Sequence, residues 1–406
     1  VNRAIATLAG LVLGIAAGAL IAARGWPSTD ALDVARIVGT LWLDGLRMTV
    51  LPLVVTLTAT GTARAVAATR GGAVMKRAAG LGFALLVLSA VVALLLGPSL
   101  LGAWSPSVAA LAALRAGGPP GPSVVASAGE AMTGLIAPNL AAAASGGAIA
   151  PLAIFSLLFG AAAARLSGDR TAVALAALTQ AADIVLVIVG WVLALAPLGV
   201  AALGFTLGAR LGLGAGSVLA HYVGVQIAIT AALGLSMYAL ATLAGRVQLV
   251  RFARAALEPQ TVAASTQSSL AALPAMLTAA ARLTLADGVT GAILPLAVAL
   301  FRLAAPASIV IVTLATAHIE GTALSPATLL TVGALAVLGT LIIAGLPNQT
   351  TFFAAYAPPL IAAHLPLDLL PLFLAVDVLP DIFYTVTNVT ADLAVAAVGG
   401  RTSNRT

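Results

Sequence analysis

RFARAALEPQTVAASTQSSLAALPAMLTAAAR, running from Arg251 to Arg282, is the stretch that decides how this chain folds. Its apolar runs are roughly 12 residues long, whereas a helix needs about 20 to cross a bilayer. Both ends are basic and so belong on the cytoplasmic side. Between them lies a polar cluster, Ser265-Thr266-Gln267-Ser268-Ser269, with Pro274 beyond it. A segment that enters and leaves on one side with a polar turn between is a re-entrant hairpin. A second hairpin runs from about Pro326 to His364, with its tip near Gly345-Leu346-Pro347-Asn348-Gln349-Thr350-Thr351 and both ends facing outward. Irregular backbone at membrane depth is tolerated only when buried in protein or lining a cavity, so two inverted hairpins with polar tips point to a binding site near the membrane midplane.

The rest of the sequence agrees with a membrane setting. Of 406 residues, 61% are hydrophobic and 8% charged, which excludes a soluble chain and marks a polytopic membrane protein. The 40 Gly and 21 Pro predict broken helices. With no Cys, disulfides, thiolate metal sites and thiol catalysis are excluded, and His221, His318 and His364 have no metal-ligand spacing. The net charge of +6 raises the question of nucleic acid, but the cations cluster at Arg64 to Arg77, Arg165 to Arg170, Arg246 to Arg254 and Arg401 to Arg405, each just outside an apolar stretch. That is the pattern of cytoplasmic loops, and 4% aromatics leaves little surface for stacking bases. Nucleic acid is therefore not expected as a partner; the lipid bilayer is. Helices are predicted near 4–23, 36–63, 76–97, 137–166, 171–205 and 217–244, with the N-terminus inside. The Pro- and Gly-rich outer segment from Ala103 to Ala137 reads as an irregular connection. The first apolar stretch reads as a retained helix, with no cleavage site evident after it.

The last predicted helix, 366–398, supplies the chemistry. Asp377, Asp381, Thr385, Asn388 and Asp392 follow at intervals of 4, 4, 3 and 4 and so share one helical face. Carboxylates embedded in a membrane are costly unless paired with cations, protons or substrate, so this stripe predicts a transport site. No nucleophile, base and oxyanion arrangement stands out, and an enzyme is not expected.

These residues resemble the dicarboxylate/amino acid:cation symporter family, which includes the glutamate transporters. Met48 to Pro52 resembles the family's "KMLVxPL", Ala196-Pro197-Leu198-Gly199-Val200 its "APIGV", and Thr266 to Pro274 its serine-rich first hairpin. Asp381 to Asp392 resembles "DMGRTMVNVTGD" almost position for position. The resemblance implies an all-α polytopic fold with eight transmembrane helices, two re-entrant hairpins, a homotrimer and an elevator mechanism. Residues 1–75 are then scaffold helices 1 and 2, and 76–136 helix 3 with its extracellular connection. Residues 137–216 are scaffold helices 4 and 5, 217–250 helix 6, and 251–406 the transport core.

The departures bear on substrate and coupling. Asp381 stands where the family binds the α-amino group and Asn388 where it holds the α-carboxylate. Tyr384 replaces the arginine that holds a side-chain carboxylate in acidic-substrate members, so a small neutral amino acid fits best. The family's "NMDGT" sodium motif has two competing counterparts. Ala317 to Leu324 imitates it, but spacing from Ile293-Leu294-Pro295-Leu296 assigns Phe301-Arg302-Leu303-Ala304-Ala305 instead. His318 and Glu320 then read as an outer loop. Leu303 and Phe301 lose two sodium ligands and Arg302 adds a cation, so the guanidinium stands in for at least one sodium. What is left is a partial site from Asn388, Asp392 and backbone carbonyls, or none.

At the tips, Ser268 and Ser269 are candidate substrate contacts beside backbone amides. Ala344-Gly345-Leu346-Pro347 resembles the family's "AGVPG" gate, which makes Gly345 and Pro347 further candidates beside Thr385. The expectation is a secondary transporter of a small neutral amino acid, coupled to sodium at reduced stoichiometry or to protons, with no cofactor other than a coupling Na+. Its composition and lack of organelle signals point to the cell inner membrane. An organic-anion carrier with Arg302 as carboxylate clamp is the alternative, beside a membrane sensor or anion channel on the same fold.

Overall fold

The computed structural model describes residues 2–24, 29–68, 73–103, 136–145, 149–166, 169–211, 214–343 and 348–400. Every element among them is a helix. Five described segments are long and apolar enough to cross a membrane: Lys76–Gly102, Asp169–Ala194, Gly216–Leu243, Ile293–Glu320 and Val378–Gly399. Exposed Leu, Val, Ile and Phe on several of these helices supply an apolar surface suited to lipid. The protein is a multi-pass membrane protein.

In chain order the first helices are α1 (Asn2–Arg24), α2 (Thr29–Ala68), α3 (Ala73–Gly102), α4 (Leu140–Ser145), α5 (Ile149–Ala163), α6 (Asp169–Ala194), α7 (Ala196–Leu211) and α8 (Gly214–Leu243). The predicted helix at 171–205 is interrupted at Leu195, because Pro197 lacks an N–H and its ring bars a continuous helix through that turn. The predicted 137–166 segment begins later, at Leu140, where the Asn139 carboxamide accepts from the N–H groups of Ala141 and Ala142 at 2.9 and 3.1 Å. Its described residues fall in α4 and α5. Most of the predicted outer connection lies outside the described residues. His221 sits inside α8 with Nε2 3.3 Å from the Leu101 carbonyl.

Helices α1 and α7 pack at very short range. Gly10, Gly14 and Gly18 lie against the backbone of Pro197, Ala201 and Phe205, while Gly204 and Gly208 answer against Leu11 and Ile15. Without side chains at these positions the backbones approach closely, which is how membrane helices associate where no hydrophobic driving force separates protein from lipid. Helix α2 packs on α5, α6 and α7.

The C-terminal part is built of interrupted helices: α9 (Leu249–Thr266), α10 (Ser269–Arg282), α11 (Asp287–Leu300), α12 (Ala304–Glu320), α13 (Pro326–Ile343), α14 (Asn348–Ala362), α15 (Leu370–Val376) and α16 (Val378–Gly400). α9 and α10 pack together as a hairpin, and an ion pair of 2.8 Å joins Arg282 at the end of α10 to Glu258 midway along α9. α13 and α14 pack together in the same way, and the tip between them, including Gly345 and Pro347, lies outside the described residues. The predicted 366–398 helix is in fact two, jointed at Asp377. Pro380 explains the joint, since its ring would clash with the carbonyl of Val376. His318 and Glu320 are not in a loop but in the last turn of α12. Gly321 ends that helix at φ 68°, its N–H bonded to the His318 carbonyl at 3.2 Å.

Helix α16 is the axis of this half, touching α8, α9, α10, α11 and α12. Close approach to α8 is secured at Gly234, where a Cβ would lie 2.7 Å from Thr387 Oγ1. The Thr387 hydroxyl donates to the Thr230 carbonyl at 3.0 Å.

Candidate functional site

Three chain interruptions meet around α16. The first is the turn between α9 and α10. Gln267 takes a left-handed conformation, φ 50° and ψ 35°, and its N–H caps α9 at the Ala263 carbonyl. Its carboxamide donates to the Val378 carbonyl at 2.9 Å, tying the hairpin tip to the joint before α16. Ser268 is extended and caps α10, its Oγ accepting from the Ala271 N–H at 3.3 Å. Ser269 follows, buried. The first N–H groups of a helix have no intrahelical acceptor, so the start of α10 offers donors and a positive dipole end to whatever sits before it.

The second interruption parts α11 from α12. Phe301 is extended, at φ −112° and ψ 112°, and regular helix resumes at Ala304. Pro306 is the physical cause, because its ring clashes with the carbonyl four residues back, that of Arg302. The break falls at the residues to which the spacing argument assigned the sodium motif. Three of the polar groups at this break are taken by side chains from elsewhere. Asn388 Oδ1 accepts from the Ala304 N–H at 2.9 Å. Ser89 donates to the Leu303 carbonyl at 2.5 Å while accepting from the Ala307 N–H at 3.3 Å. Phe301 packs its ring over Gly82, where a Cβ would lie 2.7 Å away.

The third interruption is the joint at Asp377. Asp381, Tyr384, Thr385 and Asn388 then project from the first turns of α16 toward the other two breaks. A cavity of about 290 Å³ lies between them, lined by Gln267, Ser268 and Ser269 from the hairpin, Arg302 from the break, and those four residues of α16. Of the residues singled out in the sequence, Ser268, Ser269, Arg302, Asp381, Tyr384, Thr385 and Asn388 are thus gathered at one cavity. Asp377, at the joint, and Asp392, on α16, are buried but do not line it.

The cavity presents both signs of charge. Arg302 lies within electrostatic reach of Asp381 and of Asp392. Asp392 is almost wholly buried, and its Oδ2 has no hydrogen-bond partner among the described residues. Because Asn388 spends its carbonyl oxygen on α12, its Nδ2 is the end left to face the cavity as a donor. The Thr385 hydroxyl is used internally, donating to the Asp381 carbonyl at 2.8 Å. Among the described residues no group of three or more His, Asp or Glu is gathered as a metal site.

Sequence reasoning missed Tyr356 on α14, which also lines the cavity, and the group behind it. Ser308 Oγ lies 2.7 Å from the Tyr356 hydroxyl and donates to that of Tyr384 at 2.9 Å. Gln226 Nε2, from α8, reaches the Ser308 carbonyl at 3.2 Å and the Tyr222 hydroxyl at 3.0 Å. The available signal was compositional: the chain has 4 Tyr, and three of them meet here.

Comparison with known proteins closes the description. The family model described as "Sodium:dicarboxylate symporter family" matches residues 4–402, nearly the whole chain. No curated protein matches the chain.

Proposed function

We propose, because this chain belongs to the sodium:dicarboxylate symporter family, that it is a secondary active transporter whose cargo is a small neutral amino acid. Family membership carries the coarser statement, a membrane symporter rather than an enzyme. The observation that carries the finer one is the cavity with a carboxylate, Asp381, a guanidinium, Arg302, and the Asn388 amide donor on its walls. That set complements a zwitterion: the ammonium goes to Asp381, and the carboxylate to Asn388 Nδ2 and the start of α10. At about 290 Å³ the space sits at the low end of small-molecule sites, which favours a cargo of few heavy atoms. Tyr384, in the place of the family's side-chain-carboxylate arginine, favours an uncharged side chain.

Coupling follows from the same atoms. Sodium is the family's coupling ion, yet the Asn388 carbonyl oxygen and the Leu303 carbonyl already accept hydrogen bonds, and Arg302 puts a fixed cation beside Asp381 and Asp392. The guanidinium stands in for at least one sodium, and coupling is to fewer sodium ions or to protons, with Asn388 and Asp392 holding what remains of a sodium site. The working cycle is an elevator movement of the interrupted helices with α3 and α8 past a scaffold of α1, α2 and α4 to α7. Eight spanning helices, two hairpins, a homotrimer and a bacterial inner membrane complete the reading, and Gly345 and Pro347 serve the outer gate.

A second reading has its own support. Arg302 opens onto the cavity, so it can clamp a carboxylate of an organic anion, the cargo class in the family's description. Uptake into proteoliposomes decides between them, with labelled alanine, serine, aspartate and succinate offered under a sodium gradient and a proton gradient separately. Accumulation of alanine or serine supports the proposal. Accumulation of succinate with no amino acid taken up overturns it.

A further inference from the structure

Behind the cavity wall is a group of hydrogen bonds that joins four helices through one hydroxyl. Ser308, fully buried on α12, does not line the cavity, but both tyrosines that do are bonded to it. Tyr384 comes from α16 and Tyr356 from α14, the second arm of the outer hairpin. Gln226 comes from α8, its amide nitrogen 3.3 Å from the same Ser308 oxygen.

The donor arithmetic fixes the direction of these bonds. A serine hydroxyl has one proton and two lone pairs. That proton goes to the Tyr384 oxygen, so Ser308 Oγ accepts from Gln226 and from Tyr356. Both acceptor sites and the single donor are then used. Tyr356 is further held by stacking on Phe352, with ring centroids 4.0 Å apart and 11° between planes. Neither tyrosine can turn its ring without leaving a buried hydroxyl of Ser308 short of a partner, a loss that is costly where water cannot replace it.

We infer that Ser308 is a specificity-determining positioning residue: its hydroxyl locks Tyr384 and Tyr356 as a rigid wall and so sets the size of side chain the cavity admits. This rests on the proposed cargo site at Asp381 and Asn388 and extends it, since it assigns the limit on side-chain size to a residue that the substrate never touches. Because Tyr356 belongs to the outer hairpin, the same hydroxyl also makes the seating of α14 depend on the position of Tyr384.

The test measures dissociation constants for glycine, alanine, leucine, lactate and succinate with purified wild type, Ser308→Ala, Ser308→Thr and Tyr384→Phe. In Ser308→Ala the preference for alanine over leucine falls about fivefold, the scale of one net hydrogen bond lost. Ser308→Thr restores the preference because the hydroxyl returns. Tyr384→Phe lowers it to the same degree, and the double variant Ser308→Ala with Tyr384→Phe falls no further than either alone. A uniform loss of affinity for all ligands in Ser308→Ala, or no rescue by Ser308→Thr, overturns the inference while leaving the cargo site intact. If wild type binds the carboxylates and no amino acid, the amino-acid reading falls, and the Ser308 inference is judged on the lactate-to-succinate ratio by the same criteria. Binding of none of the five overturns both.

Discussion

If the Arg302 guanidinium stands in for a sodium ion as proposed, replacing Arg302 with Met should make ligand binding depend strongly on sodium. The side chains are similar in volume, so the change removes the charge with little change in packed volume. In the native chain the guanidinium lies within electrostatic reach of Asp381 and Asp392. Once the guanidinium is removed, a bound ammonium group answers Asp381, but Asp392 is left with no cation among the described residues. An uncompensated charge at membrane depth costs about 2.5 to 3.5 kcal/mol even on the mild insertion scale, which corresponds to about a hundredfold in an equilibrium constant. Alanine affinity of Arg302→Met in choline chloride should therefore fall about a hundredfold below wild type, and sodium chloride at equal ionic strength should restore most of it. Titration calorimetry in the two salts measures both numbers. An Arg302→Met protein whose binding has the same sodium dependence as wild type would refute the reasoning. A loss that sodium does not repair, confined to anionic ligands, would instead make Arg302 the cargo's own clamp.

Other substitutions probe the parts separately. Asn388→Asp keeps the acceptor for the Ala304 N–H but loses the donor to the cargo and adds a buried carboxylate; binding should fall at least tenfold, about the weight of a hydrogen bond to a charged group, and thermal stability should fall with it. Asn388→Ala should lose both, with an orphaned N–H costing about 1 to 3 kcal/mol in unfolding measurements. Gln267→Ala cuts the bond from the hairpin tip to Val378, and the alanine dissociation constant should rise roughly fivefold with unfolding nearly unchanged. Gly14→Leu forces a side chain into the α7 backbone at Ala201; the melting temperature should drop, by about 1 to 3 kcal/mol of overpacking, while ligand affinity in the surviving folded fraction stays at the wild-type value.

The sequence was most legible where chemistry is local. The turn of the first hairpin could be read because Gln267 and Ser268 end one helix and cap the next within a few residues. Counting from Ile293 to Leu296 placed the motif counterpart at Phe301 to Ala305 but not the helix break that falls there, although its cause, Pro306, stood in plain view four residues after Arg302. Pro380 and Pro197 gave equally local reasons for the joints at Asp377 and Leu195, which periodicity alone ran through. His318 and Glu320 were misread as loop because Gly321, which closes α12 in the left-handed region, was not weighed as a helix end. The Ser308 group was beyond reach for a different reason. Its bonds join residues 48, 76 and 82 positions apart, and no local pattern encodes which distant hydroxyls a fold will bring together.

Three features of the site lead independently to the same view of coupling. On the proposed assignment, Phe301 and Leu303 stand where side-chain sodium ligands would be, which is a statement about sequence. Ser89 and the Ala304 N–H engage the Leu303 carbonyl and the Asn388 oxygen, which is a statement about geometry. Arg302 supplies positive charge near Asp392, which is a statement about electrostatics. Each has a separate physical origin, and each lowers the gain from binding a sodium ion at the break. They also predict different consequences when undone. Ser89→Ala frees the Leu303 carbonyl but leaves the guanidinium in place, so sodium has a better ligand and still meets repulsion; its effect on sodium dependence should be small alone. Combined with Arg302→Met it should tighten sodium binding beyond Arg302→Met alone, because only then can the released carbonyl coordinate. Sodium titrations of the two single variants and the double variant measure that coupling directly, and strictly additive effects would mean that hydrogen bonding and charge act at separate places rather than on one ion site.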